Sequence, residues 1–471
     1  MIRSLGNLEK YSAARHNLGF YRSVACTARY IVDENAGVLA TNIEAAVAQT
    51  IVKHPALRCG IINEEGKDPS FVRLDSIDLS QCIEYRTVLA STAAGYETGF
   101  VKILENQHDQ LWPDLGRRPG WKVVIVQAEV SKTIDIIFSF HHSIADGVSG
   151  RVFHATLQGA LLKNIKDESK LQDHVLQLPG SVDLVPSIEQ LVDFKLSWSF
   201  FLREIWNSIK PVWLSPAQSL PWTGAPISLP SLKDYHSRIL AISLPAEAVT
   251  AILAACRVEK ATLTGLLHGL ILASLSSRLP EASSFAASTP YSLRSISGSS
   301  PTDEICSQTS AMSTTYDSKT VSEIRSASLR SELLGEKMWD VARRFKSSIT
   351  AELASLPMDS SIGLLSYVSD MHKYFVSKLG KAREGTFEVS NINSFNNSSK
   401  DGKWIIERLL FTQCGMVAGN AMSFNVASVI GGPLTISATW QDGIVEESLV
   451  EAVIQDLERN LLRISRGDAV V

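Results

Sequence analysis

The sequence predicts an α/β fold built as two layered lobes, and three observations support this. With 471 residues, of which 45% are hydrophobic, the chain is too long for one simple core and apolar enough for two. Strand-like runs are interleaved with helix-like periodicity in both halves. A stretch rich in proline and tryptophan separates these halves. We therefore divide the chain into a first lobe at 1–180, a crossover at 181–236 and a second lobe at 237–471.

The first lobe opens with a helix-like segment at 8–22, followed by a strand-like run at 23–32. Apolar residues at helical spacing then predict an amphipathic helix at 38–53. This helix ends before Pro55, because the residue before a proline is disfavoured in the helical conformation. The other elements predicted for this lobe are strands at 57–62, 121–129 and 133–140 and a helix at 148–162.

The crossover contains four of the nine tryptophans, which are Trp198, Trp206, Trp213 and Trp222. One helix is predicted inside it at 187–209, with an apolar side that includes Trp198 and Leu202. The favoured interpretation is that this side packs against the body of the protein. The alternative is a contact with a membrane surface, or a hydrophobic wall for an apolar substrate.

The second lobe repeats the alternation of strands and helices. Helices are predicted at 245–257 and 262–279, and the stretch 320–356 is either one long helix or two short ones. Residues 297–300 and 396–402 are rich in Ser, Asn and Gly, which is typical of exposed loops. The predicted strands are 237–243, 285–291, 386–393, 405–412, 421–429 and 434–440.

The composition argues against several classes of protein. A formal net charge of −4 provides no basic surface for nucleic acid. The six cysteines are scattered, without a CxxC pair or a Cys/His cluster at zinc spacing, so neither a disulfide framework nor a metal site is expected. The N-terminus lacks the apolar core of a signal peptide, and no uncharged apolar run is long enough for a transmembrane span. We therefore expect a cytoplasmic protein.

The strongest functional signal is the run His141-His142-Ser143-Ile144-Ala145-Asp146-Gly147, directly after the strand-like run at 133–140. A neutral histidine held at a strand end can accept a proton from a hydroxyl group. His142 is therefore the predicted general base, and the oxygen that it activates would attack a thioester carbonyl. Asp146 is expected to face inward and pair with an arginine, and Gly147 permits a close backbone approach.

Other interpretations of this run are weaker. A polar turn that only closes the strand leaves two adjacent histidines without a packing purpose. A Ser-His-Asp hydrolase is disfavoured because the chain has no G-x-S-x-G nucleophile elbow. Metal binding by His141 and His142 is disfavoured because adjacent side chains on an extended backbone point in opposite directions. For His141 itself we favour a hydrogen-bonded loop residue, with contact to a substrate as the alternative.

The run resembles the HHxxxDG signature of the chloramphenicol acetyltransferase-like superfamily. That group includes condensation domains of peptide synthetases, plant BAHD acyltransferases and fungal alcohol acetyltransferases. The chain is most similar to the fungal and yeast alcohol O-acetyltransferases, and the Asp-Phe-Gly-Trp-Gly motif of the plant branch is absent. Beyond the HHxxxDG run, the segments that carry this similarity are 8–21, 389–392, 411–413, 431–434 and 439–443.

The resemblance implies two chloramphenicol acetyltransferase-like lobes with an active-site tunnel between them and His142 near its middle. It also implies that Asp146 is mainly structural, with Arg294 as its candidate partner. Ser390 and Asn391 would line the tunnel where donor and intermediate meet, or would only form hydrogen bonds at a strand edge.

Three basic residues precede the Ser-Asn pair in the sequence. Lys381, together with Lys378 and Arg383, would contact the phosphates of coenzyme A, or would form a solvated basic loop.

The activity that the resemblance implies is transfer of an acetyl or short acyl group to the hydroxyl of a hydrophobic alcohol. Acetyl-CoA would be the co-substrate, without a covalent acyl-enzyme, a permanently bound cofactor or a metal. Two lobes complete a site in this superfamily, so a monomer is expected. The alternatives are acyl transfer from a carrier-protein thioester and a non-catalytic binding protein of the same fold.

Overall fold

The computed structural model describes residues 1–32, 36–129, 132–163, 171–209, 220–231, 233–328, 330–397 and 403–470. The strands are β1 (Arg3–Ser4), β2 (Val24–Ile31), β3 (Cys59–Ile62), β4 (Ser70–Arg73), β5 (Ser76–Asp78), β6 (Ile83–Val88), β7 (Trp121–Ala128), β8 (Thr133–Phe140), β9 (Leu171–Gln172), β10 (Val175–Gln177), β11 (Ser237–Leu244), β12 (Phe285–Ser292), β13 (Thr309–Tyr316), β14 (Gly385–Phe395), β15 (Ile406–Gln413), β16 (Asn420–Val429) and β17 (Leu434–Gln441). The helices are α1 (Asn7–Asn17), α2 (Ala36–Lys53), α3 (Ala93–His108), α4 (Gly147–Lys163), α5 (Ile188–Leu191), α6 (Trp198–Ile209), α7 (Ala246–Val258), α8 (Leu263–Arg278), α9 (Arg294–Ser297), α10 (Ser318–Ala327), α11 (Ser331–Ser355), α12 (Ser361–Leu364), α13 (Met371–Val376) and α14 (Glu447–Arg466).

The molecule has a mixed α/β architecture of two lobes, each built on one large sheet, as the sequence predicts. The first lobe contains a five-stranded sheet in the order β15-β2-β8-β7-β6. The second lobe contains a six-stranded sheet in the order β11-β17-β16-β14-β12-β13. Two three-stranded sheets, β1-β4-β3 and β5-β10-β9, complete the sheets formed by the described residues.

Strand β15 connects the two lobes. It lies in the second half of the chain, yet it pairs antiparallel with β2 of the first sheet, with Phe411 opposite Cys26. Strand β17 of the second sheet also holds it: Thr435 Oγ1 donates to the Leu409 carbonyl at 2.6 Å, and Ser437 Oγ donates to the Phe411 carbonyl at 2.7 Å. The first sheet is therefore completed by a strand from the second half of the chain. A boundary at residue 236 assigns this strand to the other lobe.

Each large sheet has an apolar face under helices, and the second sheet also has a polar face. Helices α2 and α4 cover one face of the first sheet, and α3 covers the other. Helices α8, α11 and α14 share an apolar cluster with Phe387, Phe424 and Ile436 of the second sheet. Because side chains alternate along a strand, the opposite face carries polar residues such as Glu388 and Asn425, and this face meets β15.

The crossover differs from its prediction. The single helix predicted at 187–209 is two helices, α5 and α6, because the chain leaves the helical conformation in between and Asp359 accepts hydrogen bonds from the backbone and hydroxyl of Ser197. The favoured inward-facing interpretation is wrong for α6, since Trp198 is 79% and Leu202 is 59% exposed. No described helix is both long and apolar enough to span a membrane. Trp213 and residues 398–402 of the predicted loop lie outside the described residues.

Most other predicted elements are present with shifted ends. Strand β8 has the predicted bounds, α4 extends the predicted helix by one residue at each end, and the stretch 320–356 contains two helices, α10 and α11. The elements that the sequence does not predict include helices α3 and α14 and strands β6 and β13.

Candidate active site

His142 lies in the turn between β8 and α4, and one of its ring nitrogens has no hydrogen-bond partner among the described residues. Its Nδ1–H donates to the carbonyl of Ala145 at 3.0 Å, which fixes the tautomer and leaves the lone pair on Nε2. No described residue forms a hydrogen bond with Nε2, and the side chain is only partly buried. Burial and the charge of Arg15 lower the pKa of His142 to about 4, although Asp146 acts in the opposite direction. The ring is therefore neutral at pH 7 and can accept a proton at Nε2.

His141 has the opposite arrangement, although it is the adjacent residue. The backbone N–H of Ser143 donates to its Nδ1 at 3.0 Å, so the ring proton is on Nε2 and is donated to Glu64 Oε1 at 2.9 Å. The side chain is fully buried. Because both ring nitrogens already have protein partners, the geometry favours the hydrogen-bonded structural role over contact with a substrate.

Glu64 connects the motif to helix α1 through a second histidine. His16 donates from Nδ1 to Glu64 at 2.9 Å, while its Nε2 accepts the backbone N–H of Trp112 at 3.0 Å. Burial acts to raise the pKa of Glu64, but the hydrogen bonds from His141 and His16 outweigh it and bring the pKa to about 2. The carboxylate thus stays ionised between two histidines.

The ligand atoms of His16, Glu64 and His141 lie within 4.8 Å of one another, as in some metal sites. However, each histidine accepts a backbone N–H on its other nitrogen, so the nitrogen that faces Glu64 carries the ring proton. A metal there would require both rings to lose their last proton. This donor chemistry fits a hydrogen-bonded carboxylate better than a metal ion.

Asp146 joins the two lobes rather than contacting His142. Its Oδ1 accepts the backbone N–H and the hydroxyl of Ser149, both at 2.9 Å, as a residue at a helix N-cap does. Its Oδ2 accepts from Arg294 Nη1 at 2.6 Å and from the backbone N–H of Gln308 at 3.1 Å, both in the second lobe. Burial acts to raise the pKa of Asp146, but Arg294 and the backbone N–H groups of Ser149 and Gln308 together outweigh it and keep the pKa below its ordinary value. The pairing of Asp146 with Arg294 that we expected is present.

Gly147 marks a close approach between helix α4 and the strands of the second half. A Cβ atom at this position would lie 2.4 Å from Ile392 Cγ2 and 3.2 Å from the Phe411 ring. The space that a side chain at position 147 would need is therefore filled by side chains of β14 and β15.

A polar network extends from His142 to the polar face of the second sheet. The rings of Tyr21 and His142 are 5.6 Å apart, and the Tyr21 hydroxyl donates to Gln413 Oε1 at 2.6 Å. Gln413 Nε2 in turn donates to Glu388 Oε1 at 2.8 Å and to Asn425 Oδ1 at 2.7 Å. We call these five residues the inter-lobe cluster.

Sequence reasoning assigned no role to Tyr21, Gln413 or Glu388. Tyr21 and Gln413 do fall in segments 8–21 and 411–413, which carry the family resemblance. This was the only signal in the sequence that could have identified them.

Ser390 and Asn391 lie on opposite faces of β14, so they do not line one cavity together as expected. Ser390 is buried on the face that carries Glu388. Asn391 donates from Nδ2 to Thr264 Oγ1 at 3.2 Å, toward helix α8. The reason is the alternation of side chains along a strand, which separates any two consecutive residues.

The three basic residues before β14 also differ in their surroundings. Lys381 is exposed. Lys378 pairs with Glu384 and lies 4.3 Å from the ring centre of Tyr374. Arg383 is buried and donates to backbone carbonyls, including that of Met416 at 2.8 Å, so its guanidinium already has protein partners.

Comparison with known proteins identifies the family of this chain. Residues 4–461 match the family model of alcohol acetyltransferases. The chain belongs to the alcohol acetyltransferase family. Two relatives of this acetyltransferase are the probable alcohol acetyltransferases FCK4 of Fusarium pseudograminearum and crmB of Aspergillus fumigatus. The first is 32% identical over 98% of this chain and 95% of the relative, and the second is 28% identical over 96% and 97%.

Solved structures show the same fold. The alcohol acetyltransferase superimposes on the trichothecene 15-O-acetyltransferase TRI3 of Fusarium sporotrichioides with a TM-score of 0.72 at 14% identity, covering 98% of this chain and 95% of that one. The first condensation domain of the CDA synthetase gives a TM-score of 0.63 at 11% identity, with coverage of 100% and 98%. The resemblance to the alcohol acetyltransferase family and the two-lobe fold are thus confirmed. The chain is an acyltransferase.

Proposed function

We propose that this alcohol acetyltransferase transfers an acetyl or short acyl group from coenzyme A to the hydroxyl of a hydrophobic alcohol. The observation that carries the proposal is the state of His142, which has a proton donated to the Ala145 carbonyl at Nδ1 and a free lone pair at Nε2. A non-catalytic protein of the same fold would have no need for an imidazole nitrogen that lacks a hydrogen-bond partner among the described residues.

In the proposed reaction, His142 Nε2 accepts the proton of the acceptor hydroxyl as its oxygen attacks the thioester carbonyl. The new C–O bond gives a tetrahedral intermediate, whose collapse breaks the C–S bond. The imidazolium then returns the proton to the leaving thiolate, so that free thiol and ester are the products. The bond to Ala145 holds the ring in one orientation throughout.

Direct transfer without an acyl-enzyme is supported by the cysteines near the site. Cys306 is close to Arg294, and Cys414 accepts a hydrogen bond from the backbone N–H of Arg22. Both thiols are buried, and burial raises the pKa of Cys306 to about 12 and also raises that of Cys414. A thiol that stays protonated at pH 7 is a poor nucleophile.

The test is release of free thiol by the purified protein from acetyl-CoA in the presence of alcohols of increasing chain length. We expect turnover that improves with the hydrophobicity of the alcohol and produces the acetyl ester. Turnover with an acylated carrier protein but with no coenzyme A thioester would replace the donor in this proposal. Absence of turnover with either donor would contradict the proposed activity.

A further inference from the structure

Arg15 lies near the candidate active site and forms no ion pair with any carboxylate among the described residues. It lies on helix α1 and is partly buried. Its one polar side-chain contact is a long one, from Nη2 to Ser12 Oγ at 3.5 Å, and its buried Nε has no partner among the described residues. Two other buried arginines differ, since Arg294 forms an ion pair with Asp146 and Arg383 donates to the carbonyls of Ala225 and Met416.

Two tyrosine rings flank the guanidinium of Arg15, and one of them belongs to the inter-lobe cluster. Its Cζ lies 4.5 Å from the ring centre of Tyr11 and 4.5 Å from that of Tyr21. Tyr21 is also the ring nearest to His142, at 5.6 Å. Aromatic contacts stabilise a guanidinium through its faces and leave its N–H groups, which lie in the plane, available for hydrogen bonds.

Glu388, the carboxylate of the inter-lobe cluster, has hydrogen-bond partners other than Arg15. Glu388 accepts hydrogen bonds from Gln413 at 2.8 Å and from Ser288 at 3.1 Å, and burial raises its pKa. It forms no salt bridge with Arg15 among the described residues.

The backbone around Arg15 is fixed, so the guanidinium is presented at a defined position. The next residue, His16, is bound to Glu64, and Ser143 of the motif donates from Oγ to the Glu9 carbonyl of α1 at 2.8 Å. Helix α1 is therefore attached to the same loop that positions His142.

We propose that Arg15 binds an anionic oxygen group of a substrate, a carboxylate or a phosphate, on the side of Tyr21 that is near His142. The group belongs either to the acceptor, which would then be a hydrophobic hydroxy acid, or to the phosphates of the donor. Its recognition would be a charge-assisted hydrogen bond to the N–H groups that now lack a partner. The kinetic test rests on the proposed acyl transfer, but a binding test does not.

The kinetic test compares wild type with Arg15→Gln, using octanol against ω-hydroxyoctanoate as acceptors and acetyl-CoA against the phosphate-free S-acetyl-N-acetylcysteamine as donors. A charge-assisted hydrogen bond corresponds to a loss of roughly tenfold to a hundredfold in kcat/KM. A loss confined to ω-hydroxyoctanoate supports a carboxylate on the acceptor. A loss confined to acetyl-CoA supports a phosphate of the donor. Equal losses in all four combinations, or none, would overturn the proposal.

Calorimetric titration separates this inference from the proposed function. Coenzyme A and ω-hydroxyoctanoate are titrated into wild type, Arg15→Gln and the control Arg73→Gln, which changes an exposed arginine. We expect one of the two anions to bind Arg15→Gln at least tenfold more weakly than it binds the other two proteins. That result supports the inference even if no donor gives turnover. Equal affinities in all three proteins would contradict it even if turnover is observed.

Discussion

The motif loop, residues 141–147, has two sides. Residues on one side have structural roles, and the residue on the other side has a chemical role. On the anchored side, which we define as His141, Asp146 and Gly147, the side-chain polar atoms have protein partners and the glycine touches the second half of the chain. On the open side, His142 keeps one nitrogen free. The difference arises from the backbone donors and acceptors that each ring meets. Changes on the anchored side should therefore reduce stability, and changes on the open side should reduce the rate.

The largest loss of stability is expected at Asp146. Asp146→Asn leaves Arg294 charged and buried without its carboxylate, which should lower the free energy of unfolding by about 3–5 kcal/mol, measured by denaturant titration. The control is Asp68→Asn, because Asp68 is 85% exposed and pairs with Lys10 at the surface; its effect should stay within about 0.5 kcal/mol. An Asp146→Asn protein of normal stability that lacks activity would place Asp146 on the open side.

The pH dependence of stability should reveal Glu64, which holds His141. Its pKa of about 2 in the folded protein lies below the ordinary value of 4.5, so ionised Glu64 stabilises the fold above about pH 4.5. That contribution, about 3 kcal/mol, is lost as the pH falls from 4.5 toward 2. Glu64→Gln should remove this part of the pH dependence, whereas Glu65→Gln, at an exposed neighbouring position, should retain it. Identical curves for both variants would refute the assignment.

Gly147 tests the close approach between α4 and the second half of the chain. Gly147→Ala places a methyl group 2.4 Å from Ile392 Cγ2 and should cost about 1–3 kcal/mol in unfolding free energy. Gly159 of the same helix has no neighbour within 4 Å, so Gly159→Ala should stabilise by about 0.5–1 kcal/mol. The cost at Gly147 should shrink in an Ile392→Ala background. Equal effects at both glycines would contradict the contact.

His141→Ala should be the mildest change on the anchored side. It leaves the Ser143 N–H and one hydrogen bond of Glu64 unsatisfied, at a cost of about 1–3 kcal/mol, while kcat of the folded protein stays within about tenfold. The control is His174→Ala, since His174 is 62% exposed and should tolerate the change. A hundredfold loss of kcat without loss of stability would move His141 to the open side.

Much of the fold could be predicted because its signals are local. The alternation of Ile134, Ile136 and Phe138 predicts β8 with its correct bounds, and a breaker such as Pro55 marks a helix end. The position of β15 could not be predicted, because its pairing with β2 spans nearly the whole chain. Helix α14 was missed although Val450, Leu457 and Ile464 repeat at helical spacing, because charged residues surround this narrow apolar stripe.

The site was predictable only where one short run contains it. His142, Asp146 and Gly147 lie within six residues of one another, so their spacing alone marks a site. Glu64 reaches His141, and Gln413 reaches Tyr21, from distant parts of the sequence, and single polar residues in such positions carry no distinguishing pattern. Arg15 is conspicuous only in the structure, where its buried Nε has no hydrogen-bond partner among the described residues.

The rate of thiol release by His142→Ala tests the central claim most directly. The account predicts that kcat falls by roughly 10² to 10⁴, the contribution of a positioned general base. The melting temperature should stay close to that of wild type, since the ring makes one hydrogen bond and is only partly buried. A correctly folded His142→Ala protein with a rate near that of wild type would contradict the account.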